Sequence, residues 1–318
     1  MLNKTRFVSP ATEVRIRQAI QDLNYEPDHI ARSLRARRTL TVGLLVSDIA
    51  NPFYADIVRG AEDVLSERHY SLILCDTDEA PERELASLRL LRQKKVDGLI
   101  IVPTGANVAP LYEANSAGLP IVLVDRKLPG DLLDTVVVGD QAGAYQATCH
   151  LLEHGHRRIG VIIGKASIST TDHRRKGYEQ ALIEHGLSPD PTLVRDGHSS
   201  IEGGAAAARE LLDLAPRPTA IFSTNNLMTV GLFLAIKQRR LCCPKDIAVA
   251  SFDDMVWLSV FSPGLTTIAQ PNYEIGKRAA ELLWDRMAGK QDSPRIIVLP
   301  PQLIVRESCG HGLPQSDA

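Results

Sequence analysis

Several side chains that could hold a small polar ligand stand directly behind short apolar runs. Phe53 and Tyr54 follow the run from Val42 to Val46, and Asp125 and Arg126 follow Val122-Leu123-Val124. Asn225 and Asn226 follow Ile221-Phe222-Ser223, Asp253 and Asp254 follow Val249-Ala250-Ser251-Phe252, and Arg174 precedes a predicted helix with Gly177-Tyr178 behind it. Aromatic faces stack on the apolar faces of small cyclic ligands. Asp, Asn and Arg add acceptors and planar, bidentate donors, which hydroxyl or carboxylate groups require. Each residue alone reads more simply as a helix cap, and one of the two aromatics as core packing. Recurrence behind runs in both halves of the chain is what points to a clamp for a sugar-like ring.

Catalytic signatures come up short. Where a glycine-rich dinucleotide loop would follow the first apolar run, the chain has Val46-Ser47-Asp48-Ile49-Ala50-Asn51-Pro52-Phe53. Gly164-Lys165 has no glycine five residues before it, and Ala166 replaces the Ser or Thr of a phosphate loop. There is no G-x-S-x-G nucleophile elbow. His150, His154 and His156 fall at i, i+4 and i+6 around a predicted helix end. A metal site needs a further ligand, and Gly155-His156 reads more simply as a turn before a strand at Ile159. An enzyme, a cofactor and a bound metal are therefore not expected.

The elements that must position the clamp alternate in type. Strands are predicted at 40–47, 71–75, 97–102, 120–124, 135–139, 158–163, 219–223 and 247–251. Between and after them, helices are predicted at 54–68, 80–94, 142–154, 175–185, 202–214, 226–240 and 273–289. Nearly continuous apolar strands alternating with helices imply an α/β fold of parallel sheets covered on both faces. In such sheets ligands bind outside the carboxyl ends of the strands, where the candidate residues stand.

A chain of 318 residues suggests about two domains. Its 44% hydrophobic and 23% charged residues fit a globular protein and exclude a disordered or collagen-like one. No apolar run reaches the roughly 18 residues of a bilayer span, and Met1 to Arg6 are polar, so neither a membrane nor secretion is expected. Five cysteines, an odd number with no C-x-x-C pair, point to reduced thiols in a cytoplasmic protein. The net charge of −2 conceals an asymmetry, because residues 1–39 hold eight Lys or Arg against four acids. A basic arm on an acidic body suits a polyanion partner, although a solvated helix surface would count the same. In the arm, Ser9 caps a helix with Pro10 at its first position, and Asp28 caps a second, short helix over 29–35. That second helix is too short to hold alone and needs a partner.

Ala31-Arg32-Ser33-Leu34-Arg35 followed by Thr41-Val42-Gly43-Leu44-Leu45-Val46 resembles the hinge and first strand of the lactose-repressor (LacI/GalR-type) transcription regulators. So do Asp48 to Tyr54, Val96-Asp97-Gly98-Leu99-Ile100, Asp125-Arg126, Gly155-His156-Arg157-Arg158-Ile159, Arg174 with Gly177-Tyr178, Phe252-Asp253-Asp254, and Pro263 to Ile268. The resemblance runs from about Leu2 to Glu307. It implies a two-lobed, periplasmic-binding-protein-like α/β body with crossover strands, preceded by a helical DNA-binding part. One lobe would take 40–139 and 270–297, and the other 140–269 and 298–309. Residues 1–39 would form a partial helix-turn-helix with its hinge helix, and 310–318 a tail.

By the same resemblance the protein is a cytoplasmic, ligand-responsive repressor that acts as a homodimer on operator DNA, with a sugar-like effector. Helix 29–35 would pair with its mate in the minor groove, where Leu34 wedges between base steps and Arg32 and Arg35 neutralise phosphates, with Ser33 a further DNA-binding candidate. Phe53, Tyr54, Asp125, Arg174, Asn225 and Asp253 would hold the effector, with Arg174 and Asp253 facing each other across the cleft between lobes. The chain departs from the family at its start. Met1-Leu2-Asn3 stands at the last turn of the recognition helix, and residues 8–24 match only the third helix. Met1 stands where many relatives have Val, so a start placed too late is the favoured explanation, and a deletion the other. Asn226 replaces an Asp, and Gln141 an Asn, common in relatives. The rival function is a ligand-binding module without DNA function. As it stands, the chain is expected to bind DNA weakly, with steep salt dependence and little sequence preference, because phosphate contacts remain while major-groove readout is lost.

Overall fold

Ser9 and Pro10 open the first helix, as the sequence predicts. The computed structural model describes residues 9–22, 38–166, 168–290 and 292–310. Helix α1 (Pro10–Asp22) begins with the Ser9 hydroxyl accepting from Thr12 N at 3.4 Å. Val14 is exposed on it. The expected hinge helix over 29–35, with Arg32, Ser33, Leu34 and Arg35, lies outside the described residues, as does the tail beyond Gly310. Residues 1–40 and 41–318 form separate compact units.

From Thr41 the chain builds two sheets in turn. The first contains β1 (Thr41–Val46), β2 (Ser71–Asp76), β3 (Gly98–Ile101), β4 (Ile121–Val124) and β5 (Asp134–Val138). Its helices are α2 (Phe53–Ser66), α3 (Pro81–Gln93) and α4 (Val108–Ser116). Helix α5 (Asp140–Glu153) then opens the second lobe, followed by β6 (Ile159–Ile163), α6 (Ser169–Glu184), β7 (Val194–Asp196) and α7 (Ile201–Leu212). Next come β8 (Ala220–Ser223), α8 (Asn226–Gln238), β9 (Ala248–Phe252) and β10 (Thr266–Ala269). The chain returns through α9 (Asn272–Met287) and β11 (Ile296–Leu299) to the first sheet, and ends with β12 (Gln302–Ile304) in the second. The orders are β11-β5-β4-β3-β1-β2 and β12-β10-β9-β8-β6-β7. Every residue of β3, β4, β5, β6, β8 and β9 is buried, because helices cover both faces.

The differences from the predicted elements have local causes. Strands β7, β10, β11 and β12 have three or four residues each, too few for a periodicity signal. The second sheet is not wholly parallel, since β12 runs antiparallel to β10 at its edge. Helix α4, with Pro110 in its first turn, carries only Leu111 and Ala114 as buried residues and shows little apolar stripe. Helix α6 starts at Ser169, six residues before the predicted 175, so Arg174 lies within it. Its first turns, Ser169-Thr170-Thr171-Asp172-His173, are polar, and they become helical because the cleft end of the lobe buries Thr170 and Thr171.

Two contacts tie the returning segment to the first lobe. Arg286 in α9 gives Asp134 a bidentate pair at 2.7 and 2.8 Å, with Asp134 almost fully buried. Helices α2 and α9 also approach until their backbones touch. A Cβ on Gly276 would lie 1.8 Å from the Ile57 carbonyl oxygen, and one on Gly60 would lie 2.0 Å from that of Tyr273. Backbone cannot step aside as a flexible side chain can, so Gly276→Ala should destabilise the protein by roughly 1–3 kcal/mol. A urea midpoint unchanged by Gly276→Ala would contradict this close crossing.

Candidate functional site

The carboxyl ends of both sheets open onto one cavity of about 80 Å³. From the first lobe it is lined by Ser47, Asp48, Asn51, Phe53 and Tyr54 after β1, Glu79 after β2, and Asp125 and Arg126 after β4. The second lobe contributes Thr170, Thr171 and Arg174 from α6, Ser199, Asn225 and Asn226, and Asp253 behind β9. All six residues proposed from the sequence for the ligand line this cavity.

In the first lobe, Phe53 and Tyr54 meet edge to face, with ring centres 5.0 Å apart. Both are buried. The Tyr54 hydroxyl accepts from Ser47 Oγ at 2.6 Å, and burial pushes its ionisation well above the ordinary tyrosine range. Arg126 forms two hydrogen bonds to Glu79, at 2.5 and 3.0 Å, and a third to the Pro103 carbonyl at 3.2 Å. Burial pushes the Glu79 carboxyl up, but the hydrogen bonds and charge of Arg126 outweigh it and hold the group below its ordinary range. Asp125 sits at φ 67°, which turns the chain sharply behind β4. Arg126 Nε lies 3.4 Å from its carboxylate without hydrogen-bond alignment. Burial raises the Asp125 carboxyl to about 6, against the lowering charges of Arg126 and Arg174.

The second lobe centres on Arg174. Its Nε donates to Asp140 at 2.7 Å, its Nη1 donates to the Thr224 carbonyl at 2.6 Å, and its guanidinium lies 3.8 Å from the Phe252 ring centre. Only 6% of it is exposed, so it is no solvated surface charge. The pair forms because α5 and α6 touch at Gly177, where a Cβ would lie 2.2 Å from the Gln141 carbonyl oxygen. Burial pushes the Asp140 carboxyl up, against the lowering charge of Arg174.

Arg174 and Asp253 do not face each other across the cleft, as the sequence suggested. Both belong to the second lobe, since α6 and β9 flank the same sheet. Asp253, at φ 75°, accepts from the Asn226 backbone at 3.0 Å and from Gln270 Nε2 at 2.6 Å. It therefore restrains the start of α8 and does not cap the segment behind itself. Asn225 is the N-cap of α8, accepting from Met228 N at 2.8 Å.

The contact across the cleft is an amide pair between Asn226, named from the sequence, and Asn51, whose pairing with it the sequence did not indicate. Asn226 Nδ2 donates to Asn51 Oδ1 at 2.7 Å, and Asn51 Nδ2 returns to Asn226 Oδ1 at 3.4 Å. A second link runs from Lys127 N to Ser169 Oγ at 3.1 Å. Glu79 and Asp140 were also missed as ion-pair partners. The rule that found the others, inspection of residues behind strand ends, would have reached both.

A family model described as periplasmic binding proteins and sugar binding domain of LacI family matches residues 39–307. A transcriptional repressor PurR from Photobacterium profundum is 36% identical over 309 residues, covering 97% of this chain and 92% of its own. A ribose operon repressor from Haemophilus influenzae is 34% identical, with the same coverage of both chains. Among solved structures, a complex of the transcriptional regulator CelR with cellobiose superimposes with a TM-score of 0.79 at 34% identity, covering 96% of this chain and 93% of that one. A LacI family regulator from Enterococcus faecium with bound ribose gives 0.76 at 31%, covering 84% and 98%. With two crossed-over sheets, a cleft at their carboxyl ends and relatives matched along nearly its whole length, the chain belongs to the LacI family of transcriptional regulators.

Proposed function

We propose that the protein is a transcriptional repressor whose cleft binds a small polyhydroxy effector, a sugar or sugar derivative, and whose DNA affinity follows the occupancy of that cleft. The observation that carries the ligand class is the charge balance around the cavity. Arg126 is neutralised by Glu79 and Arg174 by Asp140, while Asp125 and Asp253 remain as further acceptors. Such a site favours hydroxyl donors over phosphorylated or otherwise anionic compounds. The cellobiose and ribose complexes of relatives support the same class. Arg32, Ser33, Leu34 and Arg35 are the proposed DNA contacts, from the family resemblance alone.

The mechanism uses the two links between lobes. The cavity of about 80 Å³ is smaller than the roughly 150 Å³ that admits benzene, so a sugar ring enters only when the lobes part. Parting breaks the Asn51–Asn226 pair and the Lys127–Ser169 bond, and reclosure replaces them with ligand contacts. A ligand biases the arm only through its different affinity for the open and closed states. The protein acts as a homodimer through α2 and α3, where Leu90 leaves an apolar side chain exposed on the α3 surface. Sedimentation at micromolar concentration should show one dimeric species, and a monomer would count against this assembly.

A screen of neutral and phosphorylated sugars by calorimetry tests the ligand class. With the sugar so found, Asp253→Asn should weaken binding about tenfold to a hundredfold, the loss of roughly 1–3 kcal/mol expected when a desolvated polar partner goes unmet. Arg174→Ala should do the same but also cost roughly 3–5 kcal/mol of stability, because Asp140 is left charged and alone. Wild-type affinity in both variants would remove them from the site.

Asp125 predicts a pH dependence with a definite sign. Burial raises its carboxyl to about 6, against the lowering charges of Arg126 and Arg174 and with smaller rises from Asp140 and Asp253, so it is partly protonated below neutrality. A ligand hydroxyl donates only to the ionised form fully, so affinity should rise between pH 5 and 7, and Asp125→Asn should flatten that rise. An identical pH profile in the variant would exclude Asp125 as the titrating group.

A further inference from the structure

At the end of α5 remote from the cleft, the fold assembles a cluster with no part in ligand or DNA binding. His150 and His154 stand one turn apart in the last turn and cap of α5. Their sequence neighbour His156 is engaged otherwise, its Nδ1 bonding Thr219 Oγ1 at 2.9 Å and its ring also bonding the Cys309 backbone. In its place comes Cys309, 159 residues after His150, from the short turn Glu307–Cys309. Its Sγ lies 3.0 Å from His150 Nε2, and one donor atom from each of the three residues lies within 4.8 Å of the others.

The surroundings suit ligation. A carbonyl oxygen only accepts, so the 2.8 Å contact of His154 Nδ1 with the His150 carbonyl places the proton on Nδ1 and the lone pair on Nε2. Cys309 Sγ is held in place by the Thr266 hydroxyl at 3.3 Å and the Arg306 carbonyl at 3.2 Å. A tetrahedral zinc ion holds N and S ligands at about 2.0 and 2.3 Å, hence about 3.5 Å from each other. The observed spread brackets that value. Two imidazoles and a thiolate with no carboxylate select a borderline-soft ion over magnesium or calcium. His150 and Cys309 are buried and His154 is exposed, so the cluster lies at the protein surface.

We propose that His150, His154 and Cys309 bind one zinc ion, which staples the turn Glu307–Cys309 to the end of α5. An ion held by the folded chain alone stabilises it by mass action. The test uses the full chain, stripped with a chelator and titrated with zinc, and separately with cobalt as a spectroscopic probe. One zinc per chain and a raised melting temperature are expected, with a thiolate-to-cobalt charge-transfer band in the near ultraviolet. His154→Gln, on the surface and so harmless to folding, should weaken zinc binding about tenfold or more. Cys309→Ser should abolish the band. Absence of binding at micromolar zinc, undiminished binding in His154→Gln, or a cobalt spectrum without the thiolate band would each overturn the site.

Discussion

A guanidinium taken out of water must be neutralised where it sits, and the cleft of this protein is organised around two that are. Arg174 and Arg126 are each less than a tenth exposed. Leaving either without its carboxylate would cost several kcal/mol. Asp140 and Glu79 are therefore part of the fold as much as of the site. Their demand for proximity reaches into the helix packing. Arg174 meets Asp140 only because α5 and α6 cross at a glycine, three residues along from Arg174 itself.

The same constraint shapes what the cleft can recognise. Guanidinium groups already satisfied by carboxylates retain edges for hydrogen bonding but little net charge with which to draw an anion. Asp125 and Asp253 lie on opposite walls of the cavity, one in each lobe, both on backbone turned to positive φ. Those turns aim short carboxylates back over the strand ends. Between the walls, the Asn51–Asn226 pair joins the lobes through two neutral amides. A neutral link in a polar cleft is worth about 1 kcal/mol per bond, weak enough for a ligand to displace. An Asp at position 226 could accept from Asn51 but could not return the second bond.

Connectivity decides how such a cleft can move. The chain crosses between sheets after β5, after β10 and between β11 and β12. Each crossing is short, only Pro300 and Pro301 separating β11 from β12. All three crossings lie at the ends of these strands. Within the first lobe, the Asp134–Arg286 pair and the glycine crossing of α2 with α9 make the returning segment an integral part of the sheet.

Local sequence determined most of the framework. Strands buried on both faces must be apolar along their length, so β1, β3, β4, β6, β8 and β9 were legible as runs. The carboxyl-end rule for α/β sheets then located Phe53, Tyr54, Asp125, Arg174, Asn225 and Asp253 at one cavity. The order of motifs identified the family. Pairing was not legible, because nothing local says which carboxylate meets which guanidinium. Arg174 was assigned to the opposite wall from Asp253 for that reason, and the helix that carries it was started too late, its polar first turns having no apolar period. Cys309 joined His150 and His154 for the same kind of reason. Contacts between residues far apart in the chain depend on how sheets and helices stack, and only the tertiary structure decided them.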